Sequence, residues 1–212
     1  MKKIAIALTA LIVLFSISAC AQEPLSQTTE PSVSMDCPTP SIETIVRTIK
    51  DQNFETLAAF DADGRLLLEI TDHDPQKVTM TAEQIAQFRE QGGALIIHNH
   101  PSGNSFSGQD LYTEAMRGTQ RAIVVTRDYL YILSPGWQGW GDPDRLRDAH
   151  DKYSVEFERL AETEDWRSTS ARNRWVSDQA VAAVASDFGL DYWKIPVKDL
   201  FCFHGIQVVT AG

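Results

Sequence analysis

The stretch ALIIHNHPSGNSFSGQDL, residues 94–111, holds the side chains of this chain best suited to chemistry. His98 and His100 stand two apart, and Ser107 is followed three residues later by Asp110. Residues two apart on a strand project from the same face, so two imidazoles are expected side by side at a strand end. Neutral imidazole is the commonest metal ligand, and a catalytic zinc ion takes three protein ligands and keeps a fourth position open. His98, His100 and Asp110 make such a set, suited to hydrolysis by an activated water. Each part alone has a plainer use. His-Asn-His is a weak metal signal, and Ser107-Gly-Gln-Asp110 reads as the first turn of a capped helix.

Positioning this set requires a strand into the histidines and a helix out of the loop. Residues 94–98 form a continuous apolar run, as expected of a central buried strand, and a helix is expected over about 108–117. Ser41 caps an amphipathic pattern over 42–53, with Ile42, Ile45, Val46 and Ile49 at helical spacing. Residues 54–60 and 65–71 read as two strands joined at Asp61-Ala-Asp-Gly64, a hairpin turn signal. A short strand is expected near 77–79, then a helix capped by Thr81 and closed by Gly92-Gly93. Two further strands follow at 121–126 and 129–134, then long helical patterns at 142–164 and 167–188, with Gly189 as a C-cap. The last stretch, from Asp191, is aromatic and β-prone. These elements predict an α/β fold with a mixed central sheet and a C-terminal helical pair.

HNHPSG, then Ser107, then Asp110 resembles the H-x-H-P…S-x-x-D signature of the JAMM metallopeptidases, also called MPN+ or JAB, and especially their RadC-like bacterial members. The resemblance spans about residues 41–134. It implies a single JAB/MPN-like (cytidine-deaminase-like) domain, with zinc on His98, His100 and Asp110 and with Ser107 helping to stabilise an oxyanion. It also implies a glutamate, from a strand after the first helix, that deprotonates the attacking water. Glu55 fits that order, with Glu69 and Glu83 as alternatives. The implied activity is cleavage of a peptide or isopeptide bond. A JAB-like zinc-binding module that recognises a protein partner without catalysis is the alternative. Five residues separate Pro101 from Ser107, one fewer than in the common pattern. That shorter loop is closer to JAB-like domains of phage and bacterial toxin proteins.

The N-terminus sets the compartment. Lys2 and Lys3 precede an apolar run, Ile4 to Ile17, shorter than the roughly 20 residues of a bilayer span, which reads as a signal peptide over 1–19. Ile17-Ser18-Ala19-Cys20 resembles a bacterial lipobox, implying lipidation of Cys20; ordinary cleavage near Ala19 or Ala21 is the alternative. Ala21, rather than Asp, after the cysteine favours the outer membrane, facing the periplasm. Residues 20–40 are rich in Ser, Thr, Pro and Gln and read as a flexible tether; the core follows at 41–141 and a C-terminal extension at 142–212. Cys37 and Cys202 either pair as a disulfide in an oxidising compartment or remain two unpaired thiols.

Losing Lys2 and Lys3 takes the net charge from −10 to −12. A surface this acidic repels nucleic acid and anionic headgroups, so the expected partners are a peptide or protein substrate and the membrane, reached through the lipid alone. Trp137 and Trp140, in a Gly-rich loop, either border a substrate groove or pack over a sheet edge. His73, His150 and His204 are expected to be structural.

Overall fold

A computed structural model of the chain describes residues 41–198. The signal segment, Cys20, the tether, Cys37, Cys202 and His204 lie outside the described residues. The described elements run α1 (Ile42–Ile49), β1 (Thr56–Asp61), β2 (Leu66–Thr71), α2 (Ala82–Glu90), β3 (Gly93–Asn99), α3 (Gly108–Arg117), β4 (Arg121–Val125), β5 (Tyr129–Ser134), α4 (Pro143–Ala161), α5 (Thr169–Phe188) and β6 (Asp191–Pro196). The strands form one mixed sheet in the order β2-β1-β3-β4-β5-β6. Only β3 and β4 pair in parallel; the other neighbours are antiparallel. No described helix is long and apolar enough to cross a membrane.

Strand alternation divides the core between two faces. Ala58, Phe60, Leu95, Ile97, Ile123, Val125, Leu130 and Ile132 point to one side, where Ile45, Val46 and Ile49 of α1 cover them. On the other side, Leu57, Ala59 and Ile96 pack with Met80 and with Phe88 of α2. Further along that face, Ala122, Val124, Tyr131 and Leu133 are covered by Leu111 of α3, Leu146 of α4, and Val181, Val184 and Ala185 of α5. The two C-terminal helices therefore bury the same sheet face as α3, and β6 extends the sheet beyond β5. Phe106, at zero exposure, joins this second cluster and anchors the loop between β3 and α3.

Two local elements differ from the sequence expectation. α1 stops at Ile49, because the Gln52 amide bonds back to the Ile49 carbonyl at 3.1 Å and the Gln52 side chain accepts from Thr56 Oγ1 at 2.6 Å. Residues 77–79 form no strand. Pro75 has no amide to give to a ladder, the Gln76 amide is taken by Asp74 Oδ1 at 2.8 Å, and that of Thr79 by Asp72 Oδ2 at 3.2 Å. The segment is instead a loop tied to the start of β1 by the Glu55 amide, which donates to the Asp74 carbonyl at 2.8 Å.

Candidate metal centre

β3 lies between β1 and β4, with Leu57 opposite His98 and Ala59 opposite Ile96, so His98 faces the α2–α3 side of the sheet. The strand ends at Asn99, and the His100 amide still bonds to the Val125 carbonyl of β4 at 2.9 Å. Pro101 then opens a turn closed by the Gly103 amide on the His100 carbonyl at 3.0 Å. Gly103 takes φ +82°, the left-handed region, and a Cβ there would press on Arg174 at 3.0 Å. The loop delivers Ser107 as the N-cap of α3. Ser107 Oγ accepts from the Asp110 amide at 3.2 Å, and Asp110 Oδ2 accepts from the Ser107 amide at 2.6 Å. This box turns the Asp110 carboxylate back toward the strand end.

The result is a compact donor set. His98 Nε2 and His100 Nε2 are 3.1 Å apart; His98 Nε2 lies 3.5 Å from Asp110 Oδ1 and His100 Nε2 lies 3.5 Å from Asp110 Oδ2. Ligand atoms at about 2.0–2.1 Å on the corners of a tetrahedron lie roughly 3.3–3.4 Å from one another, close to the spacing of the two imidazole nitrogens, and one ligand atom from each of the three residues lies within 4.8 Å of the others. His98 and His100 are buried and Asp110 is half-buried. His100 Nδ1 lies 2.9 Å from the Ser105 carbonyl and 3.2 Å from that of Asn104. A carbonyl only accepts, so Nδ1 carries the proton and Nε2 presents a lone pair to the other two groups. The three residues could hold a metal ion.

Electrostatics fit the same set. Burial opposes charge on Asp110, yet the adjacent His98 imidazole, with help from His100 and the Ser107 amide, holds its carboxyl well below the usual carboxylate range. Burial lowers the pKa of His98, and Asp110 together with Glu114 and Glu55 more than reverses that. For His100, burial prevails and its pKa falls.

Glu55, immediately before β1, is 8% exposed, and its Oε1 lies 3.9 Å from His100 Nε2. That gap is too long for a direct hydrogen bond. Burial pushes the Glu55 carboxyl up to about 7, with Asp110 and Asp74 adding to the rise and His98 opposing it. Glu69 pairs with Ala58, whose side chain faces α1, and is exposed; Glu83 is exposed in the first turn of α2. Of the three glutamates, only Glu55 lines the cleft with the histidines. Ser107 also lines it, and its hydroxyl donates to Asp110 Oδ2 at 2.7 Å.

The cleft measures about 970 Å³ and is bounded by the 75–79 loop, the 102–107 loop and faces of α3, α4 and α5. Trp137 and Trp140 do not line it. Trp140 is buried, donating from Nε1 to the Thr119 carbonyl at 2.6 Å, and Trp137 is exposed. His150, expected to be structural, packs against Gly108 at the start of α3 and borders the cleft.

Sequence reasoning passed over two contributors. Asn99, between the histidines, points away from them. Its Oδ1 accepts from the Thr56 amide at 2.7 Å and its Nδ2 donates to the Phe54 carbonyl at 2.9 Å, gripping the chain on both sides of Glu55. Glu114 is 1% exposed, accepts from Arg117 Nη1 at 2.5 Å and Thr119 Oγ1 at 2.6 Å, and raises the pKa of His98. Its place one helical turn beyond Asp110 was the available signal. No protein-family model matches the chain, and no curated protein is significantly similar to it.

Proposed function

We propose that the chain is a zinc-dependent metallopeptidase of the JAMM type that hydrolyses a peptide or isopeptide bond. The observation that carries this reading is the convergence of His98, His100 and Asp110, whose ligand atoms lie within 4.8 Å of one another, with the Glu55 carboxylate 3.9 Å from the His100 nitrogen. Two imidazoles and one carboxylate are a donor set that suits zinc and leaves a position for reactants. When bound, zinc supplies Lewis acidity, polarising the scissile carbonyl and making water nucleophilic near neutral pH.

The residues of the chain do the rest. Glu55 takes a proton from the attacking water and delivers it to the amine as the C–N bond breaks, leaving a free amine and a carboxylic acid. A carboxyl raised to about 7 is matched to taking and returning a proton near neutrality. Ser107 orients Asp110 and borders the cleft, where its hydroxyl can turn toward the developing oxyanion. The buried carboxylate beside the ligands favours catalysis over a purely binding module. The lipobox-like Cys20 assigns the enzyme to the cell envelope, tethered by lipid and facing the periplasm, where its substrate would be a peptide or protein.

A peptide-library cleavage screen tests the function, with Asp110→Ala and a chelated wild type as controls. Cleavage that both controls abolish is the expected result. Zinc binding with no cleavage of any peptide would leave the binding module as the better reading.

A further inference from the structure

We propose that α5 is part of the metal centre, with Ser177 as a positioning residue that fixes His100 through Ser105. The inference rests on the metal-site reading above and extends it to a helix far along the chain from the histidines. His100 presents Nε2 to His98 and Asp110 only while Nδ1–H has an acceptor, and the nearer acceptor is the Ser105 carbonyl at 2.9 Å. A histidine ligand is commonly oriented in this way by the partner of its second nitrogen. The question is then what holds Ser105, which lies in an irregular stretch between β3 and α3.

Ser105 is 1% exposed, so its polar groups need partners within the protein. Ser177 supplies the acceptor for the amide and one partner for the hydroxyl. The Ser105 amide donates to Ser177 Oγ at 3.1 Å, and the two hydroxyls are 2.9 Å apart. Ser177 is 72 residues away in sequence, on α5. The helix is pinned at the next residue. Asp178 accepts from Tyr192 Oη at 2.7 Å and from Lys194 Nζ at 2.7 Å, both on β6. The same side of α5 as Ser177, one and two turns further on, is buried through Val181, Val184 and Ala185 against the sheet. A relay therefore runs from β6 to Asp178, along one residue of helix to Ser177, across to Ser105, and to His100 Nδ1. Removing Ser177 Oγ leaves the buried Ser105 amide without its acceptor, and the loop relieves this by shifting the carbonyl that orients His100.

The test compares wild type, Ser177→Ala and Ser177→Thr in the full chain. Zinc affinity is measured by chelator competition, and the His100 Nδ1–H resonance is recorded by NMR on the metal-free protein. Ser177→Ala should bind zinc about tenfold more weakly, at the low end for loss of an outer partner, and the slowly exchanging Nδ1–H signal should vanish. Ser177→Thr, which keeps the hydroxyl, should restore both. A retained Nδ1–H signal in Ser177→Ala, or a zinc affinity equal to that of wild type, overturns the inference. If Ser177→Ala fails to fold, Ser177→Cys, with its weaker acceptor, is read by the same two measurements. A wild type that binds no zinc would sink the metal-centre reading, while the metal-free resonance would still decide whether Ser177 orients His100.

Discussion

Asn99 Oδ1 accepts the Thr56 amide at 2.7 Å across a sequence separation of 43 residues. Through this bond and its partner to the Phe54 carbonyl, the residue between the two histidines holds the residue proposed as their base. The histidines and Glu55 are thus spaced by one side chain, on the face of β3 opposite to His98.

Replacing Asn99 by leucine keeps much of the volume and removes both bonds, leaving a buried amide and a carbonyl unpaired. Stability should fall by about 2–4 kcal/mol, measured by urea denaturation. Zinc content should persist, because no ligand is touched, while peptide cleavage drops as Glu55 loses its position.

Glu55→Gln separates the two uses of that carboxylate. Zinc should bind as in wild type, while cleavage falls by roughly 10²–10⁴-fold, the usual worth of a general base. In the metal-free protein the same change should stabilise. The Glu55 carboxyl is raised from 4.5 to about 7 on folding. Its contribution is therefore fully present below pH 4.5 and lost as pH rises through 7, above which the buried charge costs about 2–3 kcal/mol. Metal-free Glu55→Gln should be the more stable protein at pH 8, and the two should converge below pH 4.5. Equal stability across that range would contradict the burial of this carboxylate.

Glu114→Gln leaves Arg117, itself 7% exposed, with its charge buried and its partner neutral. Loss of one member of such a pair costs about 3–5 kcal/mol. Adding Arg117→Met should recover much of that loss in thermal denaturation, because the stranded charge is then gone. A double mutant no better than the single would show that the pair matters for another reason.

The legible part of the site follows from short-range rules. Strand alternation put His98 and His100 on one face, the Ser107 cap put Asp110 in the first helical turn, and the same alternation carried Glu55 to the face of Leu57, opposite His98. What escaped is long-range. The partners of Asn99 lie more than forty residues upstream, beyond the reach of any local pattern. Residues 77–79 have strand composition, yet side-chain acceptors at Asp72 and Asp74 take amides that a ladder would need. The second wall of the cleft, from α4 and α5, depends on which sheet face those helices cover, and helical periodicity alone does not choose a face.

A metal that binds the folded chain and not the unfolded one stabilises it. At free zinc about 1,000-fold above Kd the gain is about 4 kcal/mol, or roughly 8–16 °C in Tm for a domain of this size. Chelation should remove that increment from wild type and leave Asp110→Ala unmoved.

The most direct measurement is the metal content of the purified full chain, by elemental analysis after dialysis against metal-free buffer. One zinc per chain in the wild type, with little or none in Asp110→Ala, is the expected result. A wild type that carries no zinc, and takes up none when it is supplied, would contradict the assignment of His98, His100 and Asp110 as a zinc centre.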